Sequence, residues 1–345
     1  MSAALRPGPE ASAATMPVAA EPRGRVMLAF AAVYIVWGST YLAIRFAVET
    51  IPPFLMAGAR FVLAGAMLYA WARMRGSRRP TALEWRTGSI AGVLMLVGGN
   101  GAVVWAEQHV ASGIVALIVA IVPLWMVLLD WLRPGGERPR VGVFAGLTLG
   151  LVGLGLLIGP DALLAQHAAS GSALDVGAAL VPVAGSFLWA LGSIYTRQGA
   201  KPQSAQMSTG IQMLAGGLVF FLVSAIAGEP ARFHPRAVSA ASMAGFLYLL
   251  TFGSLVGYTA YVYLLRATTA AKAATYAYVN PVVAVLLGWA VVGESVSART
   301  LLAAAVILAG VAIITIAKSS GGSHAAQRTD DDRASGVAGA VGRNR

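Results

Sequence analysis

The chain has 345 residues, 57% of them apolar and only 11% charged. A soluble domain carries about 25% charged residues, so this composition excludes an ordinary water-soluble enzyme, a disordered protein and a fibrous one. There is no cysteine, which removes disulfides, thiolate metal sites and cysteine nucleophiles. The net charge of +11 does not point to nucleic acid, because the basic residues lie in short segments between apolar runs and read as topology signals.

Residues 1–25 are Ala- and Pro-rich and are expected to be a disordered cytoplasmic tail ending in Arg23 and Arg25. The apolar run that follows is too long for a signal-peptide core and is read as a retained helix. A bilayer-spanning helix needs about 20 mainly apolar residues. Ten such runs are predicted, at 26–45, 53–72, 88–107, 112–132, 141–159, 176–196, 208–228, 241–265, 270–293 and 299–317. They are continuously apolar, not alternating, so an all-α integral membrane bundle is expected and a β-barrel is not. Residues 318–345, with Asp330, Asp331 and Asp332, read as a second disordered cytoplasmic tail.

Charge placement tests the span count. With the amino terminus inside, 20 of the 25 basic residues fall in the inner segments 1–25, 73–86, 133–140, 197–207, 266–272 and 318–345. Only Arg45, Arg232, Arg236 and Arg299 fall outside, and Arg60 lies within the second span. That bias predicts a multi-pass membrane protein with both termini in the cytoplasm.

The spans carry polar faces in register. Tyr34, Trp37, Tyr41 and Arg45 share one face of the first. Ser186, Trp189, Ser193 and Arg197 share the equivalent face of the sixth, at an offset of 152. Trp37 and Trp189 are near mid-span, which favours a pathway over an interfacial aromatic belt. Arg60, a third of the way into the second span, either snorkels or pairs, or else binds an anion. Asn100, in the third span with Trp105 and Glu107 beyond it, either joins helices or lines a cavity. Gly142, Gly146 and Gly150 form a small-residue stripe on the fifth span, suited to packing within the chain or in a homodimer. Thr251, Ser254, Tyr258 and Tyr261 share a face of the eighth span, and Lys272, Tyr276 and Asn280 one of the ninth. The fourth-span counterparts of the latter are Ile114, Ile118 and Val122, so the second half is expected to supply more of the hydrogen bonds. Asp130 and Asp175 lie at span ends, and Glu137 and Glu294 just past the fourth and ninth spans, as caps or arginine partners.

The two halves match. Leu63-Ala64-Gly65 corresponds to Leu214-Ala215-Gly216, Pro123 and Trp131 to Pro281 and Trp289, Gly136-Glu137 to Gly293-Glu294, and Gly153 to Gly310. Repeats of five spans, at 26–159 and 172–317, must enter the membrane from opposite sides. Such inverted repeats suit alternating access, and matched proline breaks at Pro123 and Pro281 point to a midplane site.

His109, His167, His234 and His324 all fall in loops or tails without metal-ligand spacing. No HExxH, GxSxG or phosphate-loop pattern occurs, so neither an enzyme nor a cofactor is expected.

The segment Trp37 to Arg45 (WGSTYLAIR), Pro52-Pro53, Ala57-Gly58-Ala59-Arg60-Phe61, and the half-ending set Pro281, Gly293-Glu294 and Gly310 resemble the EamA-type branch of the drug/metabolite transporter superfamily. Half one carries a shortened set, Pro123, Gly136-Glu137 and Gly153. The resemblance spans roughly 26–317 and implies a ten-helix inner-membrane exporter of metabolites, amino acids or drugs. The expected cavity residues are Trp37, Tyr41, Arg60, Asn100, Trp189, Tyr258, Tyr276 and Asn280, around a neutral or zwitterionic solute. A proton-coupled multidrug efflux pump on the same fold, and a passive channel or scaffold, are the alternatives.

Overall fold

The computed structural model describes residues 22–106, 118–134, 136, 138–170, 176–287 and 297–317, and only the backbone at 41, 42, 45, 154, 157–170, 176–179, 284, 285, 287, 315 and 317. Glu107, Glu137, Asp175 and Glu294 lie outside the described residues, as do residues 1–21 and 318–345. Among the described residues the regular elements are all helical. The longer ones are α1 (Arg23–Val48), α2 (Pro53–Met74), α3 (Ala82–Ala106), α4 (Val122–Leu132), α5 (Val141–Ser170), α6 (Val176–Gln198), α7 (Ala205–Ile226), α8 (Ala240–Ala267), α9 (Tyr276–Leu287) and α10 (Ala298–Ala317). By length and composition α2, α3, α7 and α8 are each able to cross a membrane, and α4, Val141–Gly153 and Ala298–Ile314 are shorter apolar helices.

Local chemistry explains the boundaries that hydropathy misplaced. Helix α3 starts at Ala82, not 88, because Thr81 and Glu84 form a capping box. Arg78 adds a two-pronged contact to Glu84, at 2.8 and 2.5 Å. Hydropathy is blind to such a polar first turn. Helix α7 starts at Ala205, where Ser204 accepts from Met207 N. Helix α5 runs past the predicted end at 159 to Ser170, so His167, expected in a loop, lies in a helix. The first amide groups of α2 find an acceptor far along the chain. The buried Glu229 carboxylate takes Phe54 N at 3.2 Å, Leu55 N at 2.7 Å and the Ser224 hydroxyl at 2.7 Å. Three donors offset the cost of burying that charge.

The surface is inverted relative to a soluble protein. Ile35 (59%), Leu222 (62%) and Leu301 (61%) are exposed, while Ser193, Thr209 and Gln212 are buried. Exposed apolar surface of this extent needs an apolar surrounding.

Helices pack through glycines across the two halves. On α2 and α7, Gly58 meets Phe221, Val62 meets Gly217, Gly65 meets Leu214 and Tyr69 meets Gly210, a descending register that makes the pair antiparallel. On α5 and α10, Gly146 meets Ile314, Gly150 meets Gly310 and Gly153 meets Ile307, again antiparallel. Thus Gly146 and Gly150 of the predicted stripe are used within the chain, Gly150 also lying under the Tyr278 ring.

Two further seams correspond level by level. Between α1 and α8 the contacts are Trp37 on Gly257, Thr40 on Gly253 and Ala47 on Gly245. Between α6 and α3 they are Trp189 on Gly99, Gly192 on Met95 and Gly199 on Thr87. Adding 152 along α1 and subtracting 158 along α8 converts the first set into the second.

Candidate functional site

A cavity of about 110 Å³ lies where these two seams meet. It is walled by α1, α2, α3, α6, α8 and α9 together with Val119 and Val122. On α1 the lining residues are Trp37, Thr40 and Ile44, in the second half of the helix; on α2 they are Arg60 and Phe61, in the first half; on α3 they are Leu96 to Val103, in the second half.

The backbone that presents the site is irregular in both halves. Helix α3 passes through a π-helical segment at Val93–Asn100, and α8 through one at Leu249–Tyr258. Each segment ends on a cavity residue, and Asn100 and Tyr258 are 158 apart, the offset already seen between Pro123 and Pro281. Wide turns of this kind shift side-chain register and free carbonyls, and they concentrate at functional sites. The Trp37 indole uses one such carbonyl, donating to Gly253 O at 3.3 Å.

Seven of the eight residues predicted from the sequence line this one cavity: Trp37, Arg60, Asn100, Trp189, Tyr258, Tyr276 and Asn280. The eighth is Tyr41, whose side chain is outside the description. Trp37 and Trp189 meet edge to face at 5.7 Å. Tyr276 stands edge-on to Trp37 at 4.9 Å, and Tyr258 edge-on to Trp189 at 6.2 Å. Asn100 both joins helices and lines the cavity, because its Oδ1 accepts from Arg60 Nη2 at 3.3 Å. Arg60 does not snorkel: it is 5% exposed, and its guanidinium lies 4.2 Å from the Phe61 ring centroid. Polar groups come from both halves, so the expected bias toward the second half is slight. Arg60, the one charged residue among the described lining residues, belongs to the first.

Tyr261, which the sequence places on a polar face but not among the site residues, stands behind the lining against Trp37, Trp189 and Tyr276. Its hydroxyl accepts from Trp189 Nε1 at 3.1 Å and bonds to Ser193 at 2.8 Å. Beyond it the helix ends are fastened together. Tyr34 bonds to Thr275 at 2.6 Å, and Arg197 donates to the carbonyls of Leu265, at 3.2 Å, and Thr268. Ser193 and Arg197 thus continue the Trp189 stripe into closure contacts, not into the lining. Ser186 lines the cavity and accepts from Trp125 Nε1 at 3.2 Å.

Two expectations change. Thr251 is exposed, its hydroxyl turned back to Leu247 O, because the π segment rotates α8 away from the 3.6-residue register. The prolines are not matched breaks: Pro281 sits inside α9, whereas Pro123 occupies the first turn of α4, where its missing N–H costs nothing. Pro182 is a further proline inside α6.

A family model described as the EamA-like transporter family matches residues 24–159 and again 176–316. The chain belongs to the EamA-like transporter family. It is 40% identical over 291 residues to a protein of Escherichia coli K12 named as an uncharacterized inner membrane transporter, YedA, covering 83% of this chain and 89% of that one. It is 28% identical over 285 residues to protein PecM of Dickeya dadantii, covering 81% of this chain and 88% of that one. A solved crystal structure shares the fold at a TM-score of 0.68 and 21% identity, covering 85% of this chain and 98% of the other. This EamA-family chain is therefore a multi-pass membrane transporter and not an enzyme.

Proposed function

We propose that the chain carries a small solute across the inner membrane by alternating access between two inverted five-helix repeats, with ten spans and both termini in the cytoplasm. The observation that carries this reading is the pair of equivalent seams, Trp37 on Gly257 and Trp189 on Gly99, facing one another across a single cavity. The antiparallel registers of α2 with α7 and of α5 with α10 support the inversion, since equivalent helices of inverted repeats run in opposite directions. In this orientation the cavity opens outward, and Tyr261, the Tyr34–Thr275 bond and the Arg197 contacts form the closed inner gate. The opposite state exchanges the roles of the two seams. Export is the direction proposed, and no homodimer is proposed from the fifth-helix stripe, because its Gly146 and Gly150 pack within the chain.

Counterflow in proteoliposomes tests the carrier reading. Solute on the far side is expected to accelerate exchange, as a carrier requires and a channel does not show. If an imposed pH gradient drives that exchange, the proton-coupled pump is the better description. Topology has a clean test because the chain lacks cysteine. Single cysteines at the exposed Arg138 and at Thr268 are expected to react with an impermeant thiol reagent only from the cytoplasm, and one at the exposed His234 only from outside. Labelling of positions 138 and 268 from opposite faces would remove the inverted repeat.

A further inference from the structure

Arg60 is a buried cation that the fold leaves uncompensated. Among the described residues no carboxylate lies within ion-pairing distance of it, and the ion pairs there are Arg78–Glu84 and Arg133–Asp130. Its one hydrogen bond to a side chain goes to a neutral amide, Asn100 Oδ1, and its Nε has no partner. Burying an unpaired charge costs several kcal/mol unless something else satisfies it. The repeat architecture does not demand it either. The equivalent position at offset 151 is Ile211, which packs on Gly88. Across the same cavity, the buried Asn280 Oδ1 is an acceptor without a donor. A cation and an acceptor, both unsatisfied and both facing one space, are complementary to an anion and a donor.

We propose that Arg60 is the counter-ion for a carboxylate on the transported solute, and that Asn280 accepts a hydrogen bond from a donor group on the same solute. This rests on the transporter reading above. The solute class is then a small monocarboxylic acid, zwitterions included, with a donor and a body that can lie against Trp37 and Trp189. A guanidinium offers a carboxylate two parallel N–H donors, and the unpartnered Nε provides one edge of that fork. With a single cation among the described lining residues, a second anionic group on the solute would be left unpaired.

The test separates a binding role from a structural one. A bacterial small-molecule extract is split by anion exchange at high pH, where ammonium groups are neutral and every carboxylate is retained. Proteoliposomes of the full chain are loaded with the retained or the flow-through fraction, and protein-dependent release is followed by mass spectrometry. Release is expected from the retained fraction alone, and to fall at least tenfold in R60Q. Asn100→Asp is the decisive variant. It places a carboxylate about where Oδ1 now stands, 3.3 Å from Arg60 Nη2. It should therefore raise the melting temperature while also cutting release at least tenfold, because Arg60 then has an internal partner. Release from the flow-through fraction, or unchanged release in R60Q, overturns the counter-ion and leaves the carrier standing. Loss of melting temperature and release together in both variants makes Arg60 a structural residue and also overturns it. No release of either fraction by the unaltered chain removes the carrier reading itself, and this inference with it.

Discussion

Gly92→Ala is expected to lower the melting temperature, and Gly155→Ala to leave it unchanged or raise it slightly, although both add the same single carbon to a helix. At Gly155 an added Cβ meets nothing within 4 Å. The change there acts only through helix propensity, where alanine is favoured over glycine by about 1 kcal/mol. At Gly92 the Cβ would collide with the carbonyl oxygen and carbonyl carbon of Gln212, the latter 2.7 Å away. The obstacle is backbone on a neighbouring helix, which cannot rotate aside as a side-chain tip can. Helices α3 and α7 must then move apart, disturbing Gly88 on Ile211 and Gly216 on Leu96 in the same seam. Overpacking of this kind costs roughly 1–3 kcal/mol, and more for Gly92→Val, whose two extra methyl groups meet the same wall. At roughly 2–4 °C per kcal/mol the valine variant should lose on the order of 5–10 °C in Tm. Thermal unfolding of the detergent-solubilised protein reads both signs directly. A neutral Gly92→Val would mean that α3 and α7 are not in backbone contact there.

The cavity was legible in the sequence for a definite reason. Residues at mid-span with polar or aromatic heads have no favourable place against lipid, so Trp37, Asn100, Trp189 and Asn280 could be assigned an inward position without coordinates. The repeat was legible because the same side chains recur at an offset that drifts only between 151 and 158. What stayed hidden depends on backbone geometry. Periodicity arguments assume 3.6 residues per turn, and the π segments at Val93–Asn100 and Leu249–Tyr258 break that assumption in both halves. Hence Thr251, which the 3.6-residue periodicity places on the same face as Tyr258, is exposed. Gly99 and Gly257 escape a reading of side-chain chemistry because a glycine in an apolar run carries no chemical label. Their equivalence at offset 158 was nevertheless available, and it is the seat of each tryptophan. The Glu229 contacts to α2 could not be read at all, since they join residues 174 and 175 apart.

Trp189→Ala and Trp37→Ala are each expected to reduce counterflow at least tenfold, and Gly99→Ala and Gly257→Ala to reproduce much of that loss without touching a lining side chain. The two rings are held from behind by glycine and from the sides by aromatics. A Cβ on Gly257 would fall 2.6 Å from Trp37 Nε1, and one on Gly99 would fall 2.7 Å from Trp189 Cε3. Neither ring has room to retreat. Tyr261 and Tyr276 stand 5.1 and 4.9 Å from Trp37, and Tyr261 stands 5.6 Å from Trp189. The added carbon must push each indole into the cavity and pull it off its acceptor, Gly253 O for Trp37 and the Tyr261 hydroxyl for Trp189. Trp→Phe keeps a ring on the glycine but removes the donor, so it isolates the hydrogen bond from the wall. If the indole N–H serves the gate, Trp189→Phe should loosen Tyr261 and slow exchange while costing little stability. If the ring serves only as wall, Trp189→Phe should exchange like the unaltered chain while Trp189→Ala does not. Because the two seams are equivalent under the repeat, a large loss at one tryptophan with none at the other would contradict a passage shared by both halves. Counterflow rates for the six variants, with melting temperatures measured alongside, decide between these outcomes.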